Sequence, residues 1–153
     1  MRITPLLVSL ILFVVAGLCR AADRPNILLL IADDQSWCHT GYNGDPAIHT
    51  PTLDRIAREG VIFTQSHCVA ASCTPSRAAL LTGRPIWQLE DGANLWGTLP
   101  AKFRTYPEIL AGAGYVVGFA GKGWGPGDFR PGGRTENPAG PHFRNFDAFL
   151  AQL

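Results

Sequence analysis

Three groups of side chains in this sequence are of types that do chemistry. The first is Cys73-Thr74-Pro75-Ser76-Arg77, directly ahead of Ala78-Ala79-Leu80-Leu81-Thr82-Gly83. Pro75 suits a first helical turn, where the N–H it lacks would have no partner anyway. Gly83 suits a helix stop. A helix therefore starts just after Cys73, whose side chain faces unpaired N–H groups and the positive end of the dipole, a place that binds anions. Arg77 adds a fixed cation one turn along. The second group is Asp33-Asp34, an adjacent carboxylate pair suited to a hard divalent cation bound through oxygen, Ca²⁺ or Mg²⁺. The third is Lys122, whose neighbours Gly121 and Gly123 let the backbone approach a ligand closely. Each has a plainer reading. Cysteine is often a small inert hydrophobe, aspartates cap turns after strands, and lysine is usually a solvated charge.

Several familiar arrangements are excluded. Only three residues separate Cys73 from Arg77, so this is not the Cys-x5-Arg loop of cysteine phosphatases. Asp33-Asp34 after an apolar run resembles a Walker B strand, but no Gly-x4-Gly-Lys-[Ser/Thr] loop exists: Val116 stands where its first glycine would be, and Gly123 follows Lys122. Cys68 and Cys73 lack the second Cys/His pair that a zinc cluster needs. His39, His49 and His67 leave a Cys–His hydrolase open on spacing alone.

The elements that must position these groups can be read from periodicity. Asn26 to Ala32 is a continuous apolar run, as in a central parallel strand covered on both faces. Thr52 to Gly60 reads as a helix with Leu53, Ile56 and Ala57 on one face. Val61 to Gln65 and Tyr115 to Ala120 read as further strands. Thr105 caps a helix over Pro107 to Ala111, and Phe143 to Leu153 begins another. Arg84 to Ala101 is an irregular excursion with scattered Pro, Gly and Trp, and Pro126 to Pro141 is loop. Strands alternating with helices imply an α/β fold with a largely parallel sheet flanked by helices. Ligands gather at the carboxyl ends of such strands, and that edge is where Asp33-Asp34, Cys73 and Lys122 all fall.

Met1-Arg2, the apolar Leu6 to Leu18 and the small Ala21-Ala22 have the layout of a secretory signal peptide, residues 1–21, and the apolar run is short for a membrane span. A lipid anchor at Cys19 is disfavoured by bulky Leu18. The expectation is an exported protein, periplasmic or secreted, in a compartment that tolerates disulfides. A formal net charge of +1 with no basic stripe argues against a nucleic-acid partner, and 46% hydrophobic residues indicate a globular chain.

Asn26 to Gln35, His49 to Phe63, Cys73 to Arg84 and Thr105 to Gly125, in that order, resemble the N-terminal part of a type I, formylglycine-dependent sulfatase of the alkaline-phosphatase-like superfamily. The segments Thr50 to Ala57 and Cys73 to Arg84 carry most of the likeness. The Gly121 to Gly127 ending is most similar to the sulfamidase, or heparan N-sulfatase-like, branch.

The resemblance implies that Cys73, within Cys-x-Pro-x-Arg, is converted by a formylglycine-generating enzyme to an aldehyde whose hydrate attacks the sulfur of a sulfate ester and later expels sulfate. It implies that Asp33, Asp34 and the modified Cys73 bind Ca²⁺. It also implies that Arg77 orients the hydrate and that Lys122 contacts the sulfate. The substrate would be a sulfated small molecule or polysaccharide. Two departures stand out. Trp124 occupies a position where many sulfatases carry histidine, and a later Asp-Asn metal pair with a further His and Lys is not in this sequence. Residues 22–153 are therefore expected to be the N-terminal part of a catalytic domain, inactive as an isolated piece. The alternatives are a phosphate or phosphonate ester hydrolase of the same superfamily, or a non-catalytic truncated relative that binds sulfated glycans.

Overall fold

The computed structural model describes residues 24–32 and 35–144. The proposed signal peptide, Asp33, Asp34 and the helix expected beyond residue 144 lie outside the described residues. The chain divides into two compact units, Met1–Ile62 and Phe63–Leu153, which are taken one at a time.

In the first unit, helix α1 spans Pro51–Glu59, one residue earlier than the periodicity placed it. Pro51 sits in its first turn, where a missing N–H costs nothing, and Thr50 is at its N-cap. Asp54 ties the preceding turn to this helix start. It accepts hydrogen bonds from the Tyr42 N–H at 2.8 Å and the Thr50 hydroxyl at 2.9 Å. The Thr50 hydroxyl in turn accepts from the Gly41 N–H at 2.8 Å. Asp54 near the start of α1 and Arg58 near its end both complement the dipole. No residue of α1 is buried.

The second unit is built around helix α2, Cys73–Thr82. Thr74, Pro75, Ala78, Ala79 and Leu81 form its buried stripe, at the spacing that puts residues on one helix face. The two alanines let other segments approach closely. Leu89 and Leu99, both fully buried, and Trp124, 5% exposed, complete the core, with Ile86, Phe103, Tyr106 and Phe129 packed against it. Gly83 ends α2 in the left-handed region, φ 66°, and its N–H donates to the Ala79 carbonyl at 2.8 Å. This conformation is one that a Cβ disfavours, which is why glycine stops the helix here.

Helix α3 covers Tyr106–Gly112, with Thr105 at its N-cap as the sequence indicated. The Thr105 N–H donates to Glu108 at 2.7 Å, and its hydroxyl donates to the Pro138 carbonyl at 2.9 Å. The other Glu108 oxygen pairs with Arg134, whose side chain is 3% exposed. Arg134 also donates to the carbonyls of Leu99, Pro100 and Phe103. One buried guanidinium thus joins the end of the excursion, the start of α3 and the glycine-rich loop.

None of the three apolar segments expected to be strands forms a ladder among the described residues. The sole pairing there is a parallel bridge between Phe119 and His142. A strand is defined by a partner, and Ile27 to Ile31 remain half or more exposed, without the two covered faces that the continuous run anticipates. The excursion, by contrast, is ordered. It folds into 3-10 turns at Ile86–Gln88 and Glu90–Ala93. A third such turn, Arg130–Gly132, interrupts the expected loop after Pro126.

Replacing Arg134 by Met should leave three carbonyls and Glu108 without their donor and destabilise the fold by about 2–3 kcal/mol, read by denaturant unfolding; a change near zero would show the network to be redundant. Asp91 gives a pH signature. The Thr98 N–H, and then the Asn94 side chain, hold its carboxyl below the ordinary value. A lowered folded-state pKa means this support is present above the carboxylate range and is lost as pH falls through it. Hydrogen exchange at the Thr98 amide should therefore quicken on acidification beyond the intrinsic trend, and Asp91→Asn should remove that dependence.

Candidate active site

Helix α2 positions two of the expected residues. Cys73 is its first residue, with Ser72 as N-cap in extended conformation, so the helix begins one residue sooner than the sequence suggested. Cys73 is exposed and its sulfur is free, as are Cys38 and Cys68. Arg77 lies four residues on, one turn away on the same face.

Lys122 is brought to this helix end from 49 residues away: its ammonium donates to the Cys73 sulfur at 3.2 Å. The Arg77 guanidinium donates to the Lys122 backbone carbonyl. The three residues therefore form one connected set. Arg77 grips the main chain of Lys122, and the lysine side chain reaches back to Cys73. The sequence reading gave Arg77 a direct part in the chemistry. In the structure the hydrogen bond it makes is to the Lys122 backbone carbonyl.

Glycines make the approach possible. Gly121 turns the chain at φ 76°. At Gly125 a Cβ would stand 1.9 Å from the Thr74 hydroxyl oxygen, closer than real atoms come, so only glycine lets this segment lie against the start of α2. Thr74 is fully buried, and its hydroxyl donates to the Leu95 carbonyl at 2.6 Å. Sequence reasoning missed Thr74, because a threonine inside a helix start gives no signal of a contact 21 residues away.

The Lys122 segment lines an open cleft of about 700 Å³, together with Trp124, Gly127, Phe129, Arg130 and His142. Trp124 is buried, and its indole Nε1 is the one buried side-chain polar atom without a partner among the described residues. A second cavity of about 270 Å³ lies over Glu108 and Arg134, but those charges are engaged with each other and with backbone, and none of the candidate residues lines it. His67 is exposed. Asp33 and Asp34 lie outside the described residues, and among the described residues no group of three His, Cys, Asp or Glu side chains gathers as metal ligands would.

A cation held against an exposed cysteine at a helix N-terminus is an arrangement that can receive an oxyanion. Comparison with known proteins gives the family. The sulfatase family model matches residues 25–151. The chain belongs to the sulfatase family. Family membership implies an α/β, alkaline-phosphatase-like fold. Among curated proteins, arylsulfatase A of Bos taurus is 45% identical over 134 residues, covering 80% of this chain and 26% of that protein. N-acetylgalactosamine-6-sulfatase of Sus scrofa is 41% identical over 118 residues, covering 69% of this chain and 23% of the relative. Arylsulfatase G of Homo sapiens is 36% identical over 150 residues, covering 94% and 26%. The chain thus spans about a quarter of the length of the relatives it matches. No solved structure matches it. None of these three relatives is a sulfamidase by name, so the branch reading rests on the Gly121 to Gly127 ending alone.

In the full-length protein, Arg77→Ala should reduce turnover by about a hundredfold with little change in melting temperature, because the lysine loses its main-chain anchor while the core stays intact. Equal proportional losses of activity and folded yield would mark Arg77 as merely structural.

Proposed function

We propose that the protein is an exported sulfuric ester hydrolase whose nucleophile is a formylglycine made from Cys73. The observation that carries this reading is the Lys122 ammonium 3.2 Å from the Cys73 sulfur, with Arg77 fixing the lysine backbone. The Cys73 sulfur here stands in for the oxygen of the modified residue. Its surroundings suit that modification. Cys73 is exposed to a modifying enzyme, and it sits at a helix N-terminus that favours an anionic oxygen. The hydrated aldehyde supplies an oxygen nucleophile toward sulfur.

The chain's own residues have separate tasks. Lys122 holds a sulfate oxygen and offsets negative charge beside position 73. Arg77 keeps that ammonium in place, so little reorganisation is needed as charge develops. Asp33 and Asp34 offer hard carboxylate oxygens, a donor set that fits Ca²⁺, and with the group at position 73 they would hold the ion. A bound Ca²⁺ would supply Lewis-acid stabilisation of sulfate oxygens. The substrate class is a sulfated glycan or smaller sulfate ester, and a formylglycine-generating enzyme is the maturation partner. Residues 1–21 serve as the export signal, and residues 22–153 as the N-terminal part of the catalytic domain. No helix among the described residues is long and apolar enough to cross a membrane.

The test is mass spectrometry of the Cys73 peptide from full-length protein coexpressed with a formylglycine-generating enzyme, alongside assays on matched sulfate and phosphate esters. The expected outcome is conversion of Cys73, preference for the sulfate ester, and loss of turnover in Cys73→Ala. An unmodified thiol would overturn the nucleophile, and preference for phosphate would overturn the substrate class.

A further inference from the structure

Lys122 and Cys73 meet side chain to side chain. The ammonium lies 3.2 Å from the sulfur. Both partners are tied down from behind. Cys73 is the first residue of α2 and is followed by the buried Thr74 and Pro75. The Lys122 carbonyl accepts from Arg77, and the buried Trp124 stands two residues on. Among the described residues the ion pairs join Lys102 to Glu90, Arg130 to Asp128 and Arg134 to Glu108. The side-chain partner of Lys122 there is the sulfur and not a carboxylate.

Holding a sulfate oxygen needs only a cation. Arginine does that at least as well as lysine, with a planar fork that matches oxyanions. Lysine differs in carrying a primary amine, which condenses with carbonyl groups. The difference matters once position 73 carries an aldehyde. The Cys73 sulfur then stands in for the aldehyde oxygen. The carbon that bears it becomes the carbonyl carbon, one bond beyond the atom that Lys122 already touches. Arg77, the other cation of the set, is engaged with the Lys122 main-chain carbonyl.

We propose that Lys122 and the aldehyde at position 73 form a reversible imine, a covalent latch that closes the centre when no substrate fills it. This inference rests on the formylglycine of the hydrolase reading. The amine nitrogen adds to the aldehyde carbon, the carbonyl oxygen leaves as water, and a C=N bond replaces C=O. The positive charge of the ammonium stays on the protonated imine. Ammonium plus aldehyde thus gives iminium plus water, and nothing is oxidised or reduced. Water adding back to the C=N carbon returns the ammonium and the aldehyde hydrate. Two groups already held together by the fold avoid the entropy that separate molecules lose on joining, which favours the latched form. That form has no hydroxyl at position 73 to attack sulfur, and its carbonyl carbon is closed to other amines.

The experiment uses full-length protein coexpressed with a formylglycine-generating enzyme and kept free of substrate. It is treated with sodium cyanoborohydride, which reduces a C=N bond to a stable amine, then digested and weighed by mass spectrometry. The expected product is the position-73 peptide joined to the Lys122 peptide, lighter than the aldehyde and amine peptides together by one oxygen atom. Lys122→Arg keeps the cation but should give no such link, and its aldehyde should react severalfold faster than the parent's with an aminooxy probe. A converted position 73 with no link to Lys122, links spread evenly over other lysines, or equal probe rates in parent and Lys122→Arg would each overturn the latch. If sulfate esters are hydrolysed and no link is trapped, the latch falls and the hydrolase stands. If the link is trapped but no sulfate ester turns over, the hydrolase falls and the latch stands. An unconverted thiol overturns both.

Discussion

Both ends of Lys122 are held by one helix. Its carbonyl accepts from Arg77 and its ammonium donates to Cys73, so a residue 45 to 49 positions downstream is locked to the first turn of α2. Closing so long a loop costs chain entropy that two polar contacts near the surface do not offset. The burial behind them does. Ala78, Ala79 and Leu81 of α2 pack with Leu89, Leu99 and Trp124 in a common core, and Trp124 is only two residues from Lys122. The lysine reaches the cysteine because the tryptophan beside it is anchored.

Close approach is the second constraint. Gly125 lies against Thr74, Gly123 against the Phe119 ring and Gly127 against Gly97, each at a distance a side chain would forbid. Thr74, fully buried between Cys73 and the Leu95 carbonyl, couples three segments: α2, the excursion and the glycine-rich stretch. Displacing any of them would move the wall of the cleft as well as the group facing it. Arg134 does the same work at the far side, joining the excursion to α3 through carbonyls and Glu108.

Much of the local structure around the candidate site was legible in the chain. The Pro75 and Gly83 signals placed α2 within one residue, and the flanking glycines flagged Lys122 as a backbone able to come near something. Helix α1 was marked by Leu53, Ile56 and Ala57 on one face and by Gly60 at its end, and α3 by Thr105 at its cap. The strands were not recovered as a sheet among the described residues, because alternation and apolar runs report burial potential while a ladder requires a partner at a set distance. The excursion looked irregular because 3-10 turns have no apolar period to betray them. Its order comes from two leucines and one aspartate whose partners are specific to the fold.

The sequence alone determined which groups are available: a cysteine at a helix mouth, an arginine one turn on, a lysine between glycines and an acidic pair. These follow from residue type and local spacing, which act over a turn or two of chain. Tertiary structure decided what they do to each other. It set the lysine on the cysteine, turned the arginine toward a backbone carbonyl, buried Trp124 and left Trp96 in water. Those outcomes depend on contacts between segments tens of residues apart, fixed only when a shared core makes the long loops between them worth closing.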